Sequence, residues 1–160
     1  MGSRDNYTFE NHAAIPYGLG DVLSAFFQSW DDPHSNNDYL DLFAPDGELV
    51  FGPAVAKGRD AIQGLREGMV HPKNGPVVDL EHTLGKCFVL AGGAEQGRQE
   101  IIVNGSIWYK LKNGRKVDAD FASYMVFQGG EAKPEATFYQ VYLDSHELMT
   151  AITAMKEGNY

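Results

Sequence analysis

The sequence predicts an α+β domain, in which a curved antiparallel sheet is wrapped with three or four helices into a cone around an internal pocket. Helical hydrophobic spacing dominates the chain before Val77, and an alternating, strand-like pattern dominates after it. The dipeptide Asn113-Gly114 joins two alternating runs, which is a strong hairpin signal. A sheet that covers several helices has to curl, and a curled sheet leaves a hollow.

Length and composition are typical of one domain spanning residues 1–160, with an ordered core at about 14–157. The net charge of −9 argues against nucleic-acid binding and against docking on an anionic membrane, since both need basic patches. A single cysteine, Cys87, allows no intrachain disulfide. No apolar run of about 20 residues and no signal-peptide core are present, so we expect a cytoplasmic protein.

Hydrophobic residues recur at helical spacing in three longer segments and one short one. The predicted helices cover about 16–30, 37–43, 58–71 and 145–156. The first carries the clearest apolar stripe, formed by Leu19, Val22, Leu23, Phe26, Phe27 and Trp30. It ends at Asp31-Asp32-Pro33, because the residue before a proline disfavours the helical conformation. Residues 44–47 predict a tight turn, and residues 48–51 predict a short strand before the third helix.

Four strands follow the third helix. They cover about 77–91, 99–112, 116–128 and 136–144, separated by Gly92-Gly93, Asn113-Gly114 and Gly129-Gly130. Because successive side chains point to opposite faces, the even-numbered residues from Val78 to Leu90 are predicted to be buried, with Cys87 on the polar face. In the next two strands the odd-numbered residues form the apolar face, and the last strand shows no clear preference.

A few polar side chains fall on these predicted buried faces. They are His82, Tyr109, Ser123 and Tyr139. A buried polar group without a hydrogen-bond partner costs about 1–3 kcal/mol, so each needs a reason to be there. We expect Asp31, at the end of the first helix, to face the same space. The aromatic rings of Trp30, Tyr39, Phe51 and Phe121 are predicted to wall a pocket for a flat organic ligand, or to be plain core.

Two parts of the chain resemble the SnoaL-like, nuclear-transport-factor-two-like superfamily. The segment YLDLFAPDGELVFGP, with the following KGRDAIQGL, resembles its opening helix, strand and helix. The pair FASYMVFQGG and ATFYQVYLD resembles its closing hairpin, which ends in an aromatic residue, any residue and an aspartate. The likeness extends from about Leu19 to Asp144 and implies a cone-shaped fold with a small-molecule pocket.

Within that superfamily the chain is most similar to scytalone dehydratase and related dehydratases. In those enzymes an aromatic-aspartate pair ends the first long helix and a histidine lies on the first long strand. Trp30-Asp31 and His82 occupy these places, which implies that His82 is the general acid or base and that Asp31 orients it.

The chain departs from these enzymes at several positions. Phe51 replaces a tyrosine of the dehydratases, and Asn104 or Gly105 stands where they carry a second histidine. The strand aspartate of the SnoaL-type cyclases is Ser123 here. The resemblance therefore implies the fold and one histidine-aspartate pair, without the complete dehydratase set.

Each candidate site residue also has a structural explanation. Histidine can transfer protons near neutral pH, but a core histidine bonded to a backbone carbonyl gives the same sequence pattern as His82. Asp31 either orients His82 or simply ends its helix. The hydroxyls of Tyr109, Ser123 and Tyr139 either donate to a developing oxyanion or satisfy their neighbours. The other histidines show no metal-ligand spacing, so no metal is expected.

The sequence thus predicts a cofactor-free enzyme of the lyase or isomerase type. We expect proton-transfer chemistry, namely dehydration, isomerisation or cyclisation, on a small hydrophobic substrate like those of natural-product biosynthesis. The alternative is a non-catalytic small-molecule-binding or dimerisation module of the same fold. Trp108 and Tyr124, on the predicted outer face of the sheet, favour a homodimer.

Overall fold

The computed structural model describes residues 6–16, 18–92, 97–129 and 133–158. Its elements are α1 (Leu19–Asp31), β1 (Phe43–Phe51), β2 (Ala54–Lys57), α2 (Arg59–Met69), β3 (Val77–Val89), β4 (Gln99–Leu111), β5 (Lys116–Gln128), β6 (Glu135–Leu143) and α3 (His146–Lys156). Short 3-10 helices cover His12–Ala14 and Asp38–Leu42. No helix in these described ranges has both the length and the apolar character needed to cross a membrane. Gly93 and Gly130, predicted to lie in turns, fall outside the described residues.

All six strands form one sheet in the order β2-β1-β6-β5-β4-β3. The neighbours from β6 to β3 pair antiparallel, as do β1 and β2. In contrast, β1 pairs parallel with β6, because the meander of long strands ends beside β1 and runs in the same direction. The predicted α+β fold is confirmed, with a mixed sheet instead of a wholly antiparallel one.

Helix α1 packs against the inner face of the sheet. The ring of Phe26 lies 5.5 Å from that of Tyr139 on β6, and the ring of Phe27 lies 5.9 Å from that of Phe121 on β5. Burying one such phenylalanine contributes about 1.5–3 kcal/mol, so the apolar stripe read from the sequence anchors the helix. This anchoring places Asp31, the last residue of α1, beside the sheet.

The segment before α2 differs from the prediction. Residues 44–47 belong to β1, whose register against β6 shifts between Phe43 and Glu48, instead of forming a separate turn. Gly47 fits there because a Cβ atom would lie 2.7 Å from the carbonyl oxygen of Ala136. The prediction also missed β2, a four-residue strand that pairs with β1, because so short a segment shows little alternation.

The predicted buried face of β3 is correct from Leu80 to Leu84 and wrong at either end, because odd-numbered Val77 is buried at the start of the strand, where the register against β4 also shifts. The register against β4 shifts between Leu84 and Cys87, so the inward-facing side chains change from even to odd numbers. Cys87 is therefore 3% exposed and burial raises the pKa of its thiol to about 11, whereas Phe88 is 53% exposed. The side chain of Asn11 binds both backbone groups of Cys87, at 2.8 Å and 3.0 Å, and supports the irregular segment.

Gly105 of β4 lies where three strands approach closely, opposite Leu84 on β3 and Phe121 on β5. A Cβ atom at this position would lie 2.1 Å from the carbonyl oxygen of Thr83 and 3.0 Å from the ring of Phe121. Backbone atoms cannot move aside without disturbing the strand pairing, so the position requires glycine.

We predict that Gly105→Ala lowers the free energy of unfolding by about 1–3 kcal/mol, because the added methyl group overpacks the sheet. Urea denaturation followed by circular dichroism measures this change. Gly64→Ala on α2 is the control, since a Cβ there has no atom within 4 Å, and it should raise stability by up to about 1 kcal/mol. Equal stability of Gly105→Ala and the wild type would contradict the close approach.

Candidate active site

A cavity lies between α1, α2 and the inner face of the sheet. The cavity has a volume of about 70 Å³, several times the roughly 10–15 Å³ that one enclosed water molecule needs. Its polar lining consists of Arg66, His82, Tyr109, Ser123 and Tyr139, and the remaining walls are aliphatic and aromatic. The cavity therefore suits a small, mostly apolar molecule that is held by a few polar groups.

His82 and Asp31 form a hydrogen-bonded pair at one wall of this cavity. The Nδ1 atom of the His82 ring lies 2.6 Å from Asp31 Oδ1, and the His82 backbone N–H donates to Asp31 Oδ2 at 2.6 Å. The Tyr7 hydroxyl also donates to Oδ2, at 2.8 Å. Asp31 is fully buried, and a buried carboxylate is tolerated only when such donors replace its water.

This pairing determines which nitrogen of His82 is available for chemistry. Because Nδ1 donates its proton to Asp31, the neutral ring carries its free lone pair on Nε2. The ring is held between Phe27 and Phe121, with both ring centroids at 4.8 Å. The His82 side chain is only 10% exposed and lines the cavity, so a proton can pass between Nε2 and a bound molecule away from bulk water.

The structure brings most of the predicted site residues to one cavity. Those that line it are Trp30, Phe51, His82, Tyr109, Phe121, Ser123 and Tyr139. Asp31 lies behind His82, and Tyr39 packs behind Trp30 with 5.1 Å between the two ring centroids. Among the described residues, no three His, Cys, Asp or Glu side chains are grouped to hold a metal ion. The binding and catalytic roles of these residues remain predictions.

Two tyrosines, Tyr109 and Tyr139, line the cavity. Burial raises the pKa of both Tyr109 and Tyr139, and the negative charge of Asp31 raises both further. A hydrogen bond from Ser123 partly opposes this rise at Tyr139. Both phenols therefore keep their protons throughout the neutral pH range and are able to donate hydrogen bonds.

Two residues of the site, Arg66 and Tyr7, were not predicted from the sequence. Arg66 is only 4% exposed, lines the cavity, and donates through Nη2 to the backbone oxygens of Trp30 and Asp32, both at 2.7 Å. Its position four residues after the buried Ile62 was the available signal, since such residues share one helix face. Tyr7 lies before the predicted core, in a segment without hydrophobic periodicity.

Comparison with known proteins gives matches at the level of structure. No family model matches the sequence, and no curated protein matches it either. A protein of Novosphingobium aromaticivorans assigned as a scytalone dehydratase superposes with a TM-score of 0.66, at 12% identity over 79% of this chain and 82% of that one. A hexachlorocyclohexane dehydrochlorinase of Novosphingobium barchaimii gives a TM-score of 0.67, at 13% identity over 79% and 84%.

A third solved structure, assigned as a SnoaL-like polyketide cyclase of Jannaschia, gives a TM-score of 0.62, at 14% identity over 84% of this chain and 90% of that one. Together with matches to nuclear-transport-factor-two-like proteins, these superpositions confirm that the chain has the SnoaL-like, nuclear-transport-factor-two-like fold. Proteins named as a dehydratase, a dehydrochlorinase and a cyclase share this fold, so it supports several kinds of catalysis.

We predict that Tyr7→Phe lowers the free energy of unfolding by about 1.5–3 kcal/mol, because it removes a donor from the buried Asp31 carboxylate. Urea denaturation measures the change. Tyr142→Phe removes the same atom from a residue that is 53% exposed, and this control should stay within about 0.5 kcal/mol of the wild type. Similar effects of the two substitutions would show that the Tyr7 hydroxyl contributes nothing to holding Asp31.

Proposed function

We propose that the protein is a cofactor-free enzyme that moves protons on a small, hydrophobic, natural-product-like substrate, by dehydration, isomerisation or cyclisation. One observation supports this above the others. The imidazole that lines an apolar cavity is held by a buried carboxylate, with 2.6 Å between His82 Nδ1 and Asp31 Oδ1. Such a carboxylate fixes the ring tautomer and stabilises the imidazolium that forms when Nε2 accepts a proton.

The first chemical step would be removal of a proton from a carbon next to a carbonyl group. His82 Nε2 takes that proton, and the electron pair of the broken C–H bond moves into an enolate. In a dehydration, the enolate expels a hydroxyl group from the next carbon, and the imidazolium returns the proton to it as water. In an isomerisation the proton returns to another carbon. In a cyclisation, the enolate carbon attacks a second carbonyl, whose oxygen then receives the proton.

The oxygen of the enolate needs hydrogen-bond donors in the same cavity. Tyr109 and Tyr139 can supply them, because both phenols stay protonated and both line the cavity. Donors fixed in an apolar site stabilise a developing oxyanion more strongly than water does, because they need no reorganisation. Ser123, which is hydrogen-bonded to Tyr139, would hold the Tyr139 hydroxyl in place.

The alternative is a binding or dimerisation module without catalysis. It is favoured by the cavity lining, in which His82 is the sole histidine and no carboxylate is present among the described residues. A binding module would hold a ligand without exchanging its protons. The two functions therefore differ in a property that can be measured without knowing the natural substrate.

We predict that the protein accelerates exchange of the acidic C–H protons of 2-tetralone, a small bicyclic ketone, in deuterated buffer. His82→Gln should slow this exchange by about 10²–10⁴-fold, because the general base is lost. Nuclear magnetic resonance of the ketone measures the rate.

His146→Gln is the control for His82→Gln, because this imidazole is exposed at the start of α3, and it should leave the rate unchanged. A folded His82→Gln protein that exchanges as fast as the wild type would remove His82 from the mechanism. Binding of the ketone to the wild type without faster exchange would favour the binding module.

We also propose that the protein forms a homodimer through the outer face of the sheet. Trp108 and Tyr124 lie there, half-buried, and Lys116 Nζ lies 4.5 Å from the centre of the Trp108 ring. Light scattering during size-exclusion chromatography should give twice the mass of the chain. We predict that Trp108→Glu shifts it to one chain mass, because it puts charge at the interface. A single-chain mass for the wild type would contradict the dimer.

A further inference from the structure

We infer that the cavity recognises molecules with an oxyanion, such as a carboxylate or a phenolate, and that Arg66 is the residue that binds it. The inference uses the cavity of the proposed function and names the chemical class of its ligand. It does not require that His82 transfers a proton, so each proposal can fail separately.

Arg66 is a buried cation held in one position. Its Nη2 atom donates to the carbonyl oxygens of Trp30 and Asp32, and its guanidinium carbon lies 5.1 Å from the centre of the Tyr39 ring and 5.9 Å from that of Trp30. The residue is 4% exposed and shares the cavity wall with Leu65 and Met69 of the same helix. The charge therefore lies beside the ligand space at a fixed place.

The positive charge of Arg66 lacks a direct counterion in the described part of the chain, where no carboxylate lies within 4.0 Å of it. Its Nε atom is enclosed without a hydrogen-bond partner, and Nη1 makes no hydrogen bond with any described residue. Asp31, Asp32 and Glu67 attract Arg66 at longer range, but the Asp31 carboxylate oxygens already accept from Tyr7 and His82.

The unused hydrogen-bond donors of Arg66 are unfavourable when the cavity holds no ligand. Burial lowers the pKa of Arg66, but a guanidinium remains charged at neutral pH. A buried charge with unused donors is costly, and an anion that enters the cavity would relieve that cost.

Arg59, the other arginine of α2, is an example of a purely structural role. Arg59 donates through Nε and Nη2 to the carbonyl oxygen of Phe43, and its Nη2 also pairs with Glu135 at 3.1 Å. It lies nearer the surface and has its counterion. Binding the end of α1 explains Nη2 of Arg66, but it explains neither the burial of a charge that has no direct ion pair nor the place of that charge on the cavity wall.

The walls define the rest of the ligand. Aromatic rings of Phe26, Trp30 and Phe121 enclose the cavity, so the body of the molecule is flat and apolar. An oxyanion at one edge would accept hydrogen bonds from Arg66, which is the residue type best suited to that task. The ligand is therefore a small, flat organic acid.

The test compares 2-naphthoate with its uncharged counterpart 2-naphthamide by isothermal titration calorimetry at neutral pH. We expect the wild type to bind the acid roughly ten-fold or more tightly than the amide, because the charge-assisted bond is absent in the amide. Arg66→Gln should remove this preference and change the affinity for the amide by less than about three-fold. Arg66→Lys keeps the charge and should keep most of the preference.

Two controls separate this proposal from the others. Arg59→Gln removes a cation from the same helix outside the cavity and should keep the preference for the acid. His82→Gln should lose proton exchange but keep the preference for the acid. The oxyanion site can therefore be correct even if the proposed catalysis is wrong.

Three results would overturn the oxyanion site. They are equal affinity of the wild type for acid and amide, a preference that survives in Arg66→Gln, and loss of both ligands in Arg66→Gln. If Arg66→Gln does not fold, the wild-type comparison and Arg66→Lys decide. Loss of the preference in a folded Arg66→Lys together with loss of amide binding would identify a structural role.

Discussion

The arrangement of the cavity depends on the hydrogen bond between His82 and Asp31. Asp31 ends α1 and His82 lies in the middle of β3, so this contact, 2.6 Å long, fixes the end of the helix against the sheet. The carboxylate is fully buried and would be strongly unfavourable without its donors. Among the described residues, the donors come from two separate parts of the chain, Tyr7 and His82, so the arrangement needs both in place.

Two buried charges of opposite sign, the Asp31 carboxylate and the Arg66 guanidinium, are both positioned by the last turn of α1. Arg66 binds the backbone carbonyls on either side of Asp31, at the C-terminal end of α1, where a cation is favoured by the helix dipole. The Asp31 carboxylate points to the sheet, and the Arg66 guanidinium lies over the rings of Trp30 and Tyr39. The cavity thus has the imidazole of His82 on one side and the cation of Arg66 on another, with apolar walls between them.

Much of the fold could be predicted from local sequence patterns. Helical stripes, alternation and the Asn113-Gly114 hairpin gave the element order, and the buried faces of β4 and β5 are as predicted. The error in β3 has a cause that alternation cannot reveal, because the Asn11 side chain that supports the register shift lies 76 residues away along the chain. The parallel pairing of β1 with β6 is likewise a long-range choice.

The site was predicted where polar residues interrupted an apolar face, which identified His82, Tyr109, Ser123 and Tyr139. Arg66 was not predicted, because in the sequence a buried arginine on a helix looks the same as an ordinary solvated one. Tyr7 was missed because its segment has no regular spacing, and its burial depends on contacts with distant strands.

The segment before α1 also binds backbone groups of β3 at one edge of the sheet. β3 is an outermost strand, and such strands present unsatisfied backbone groups that can recruit a strand from another molecule. Here Asn11 occupies both backbone groups of Cys87, and Glu10 donates to the carbonyl of Gly85. Exposed apolar side chains, Phe88 and Leu90, lie just beyond. The segment that supports the register shift of β3 therefore also covers part of this exposed edge, where a strand of another molecule could otherwise pair.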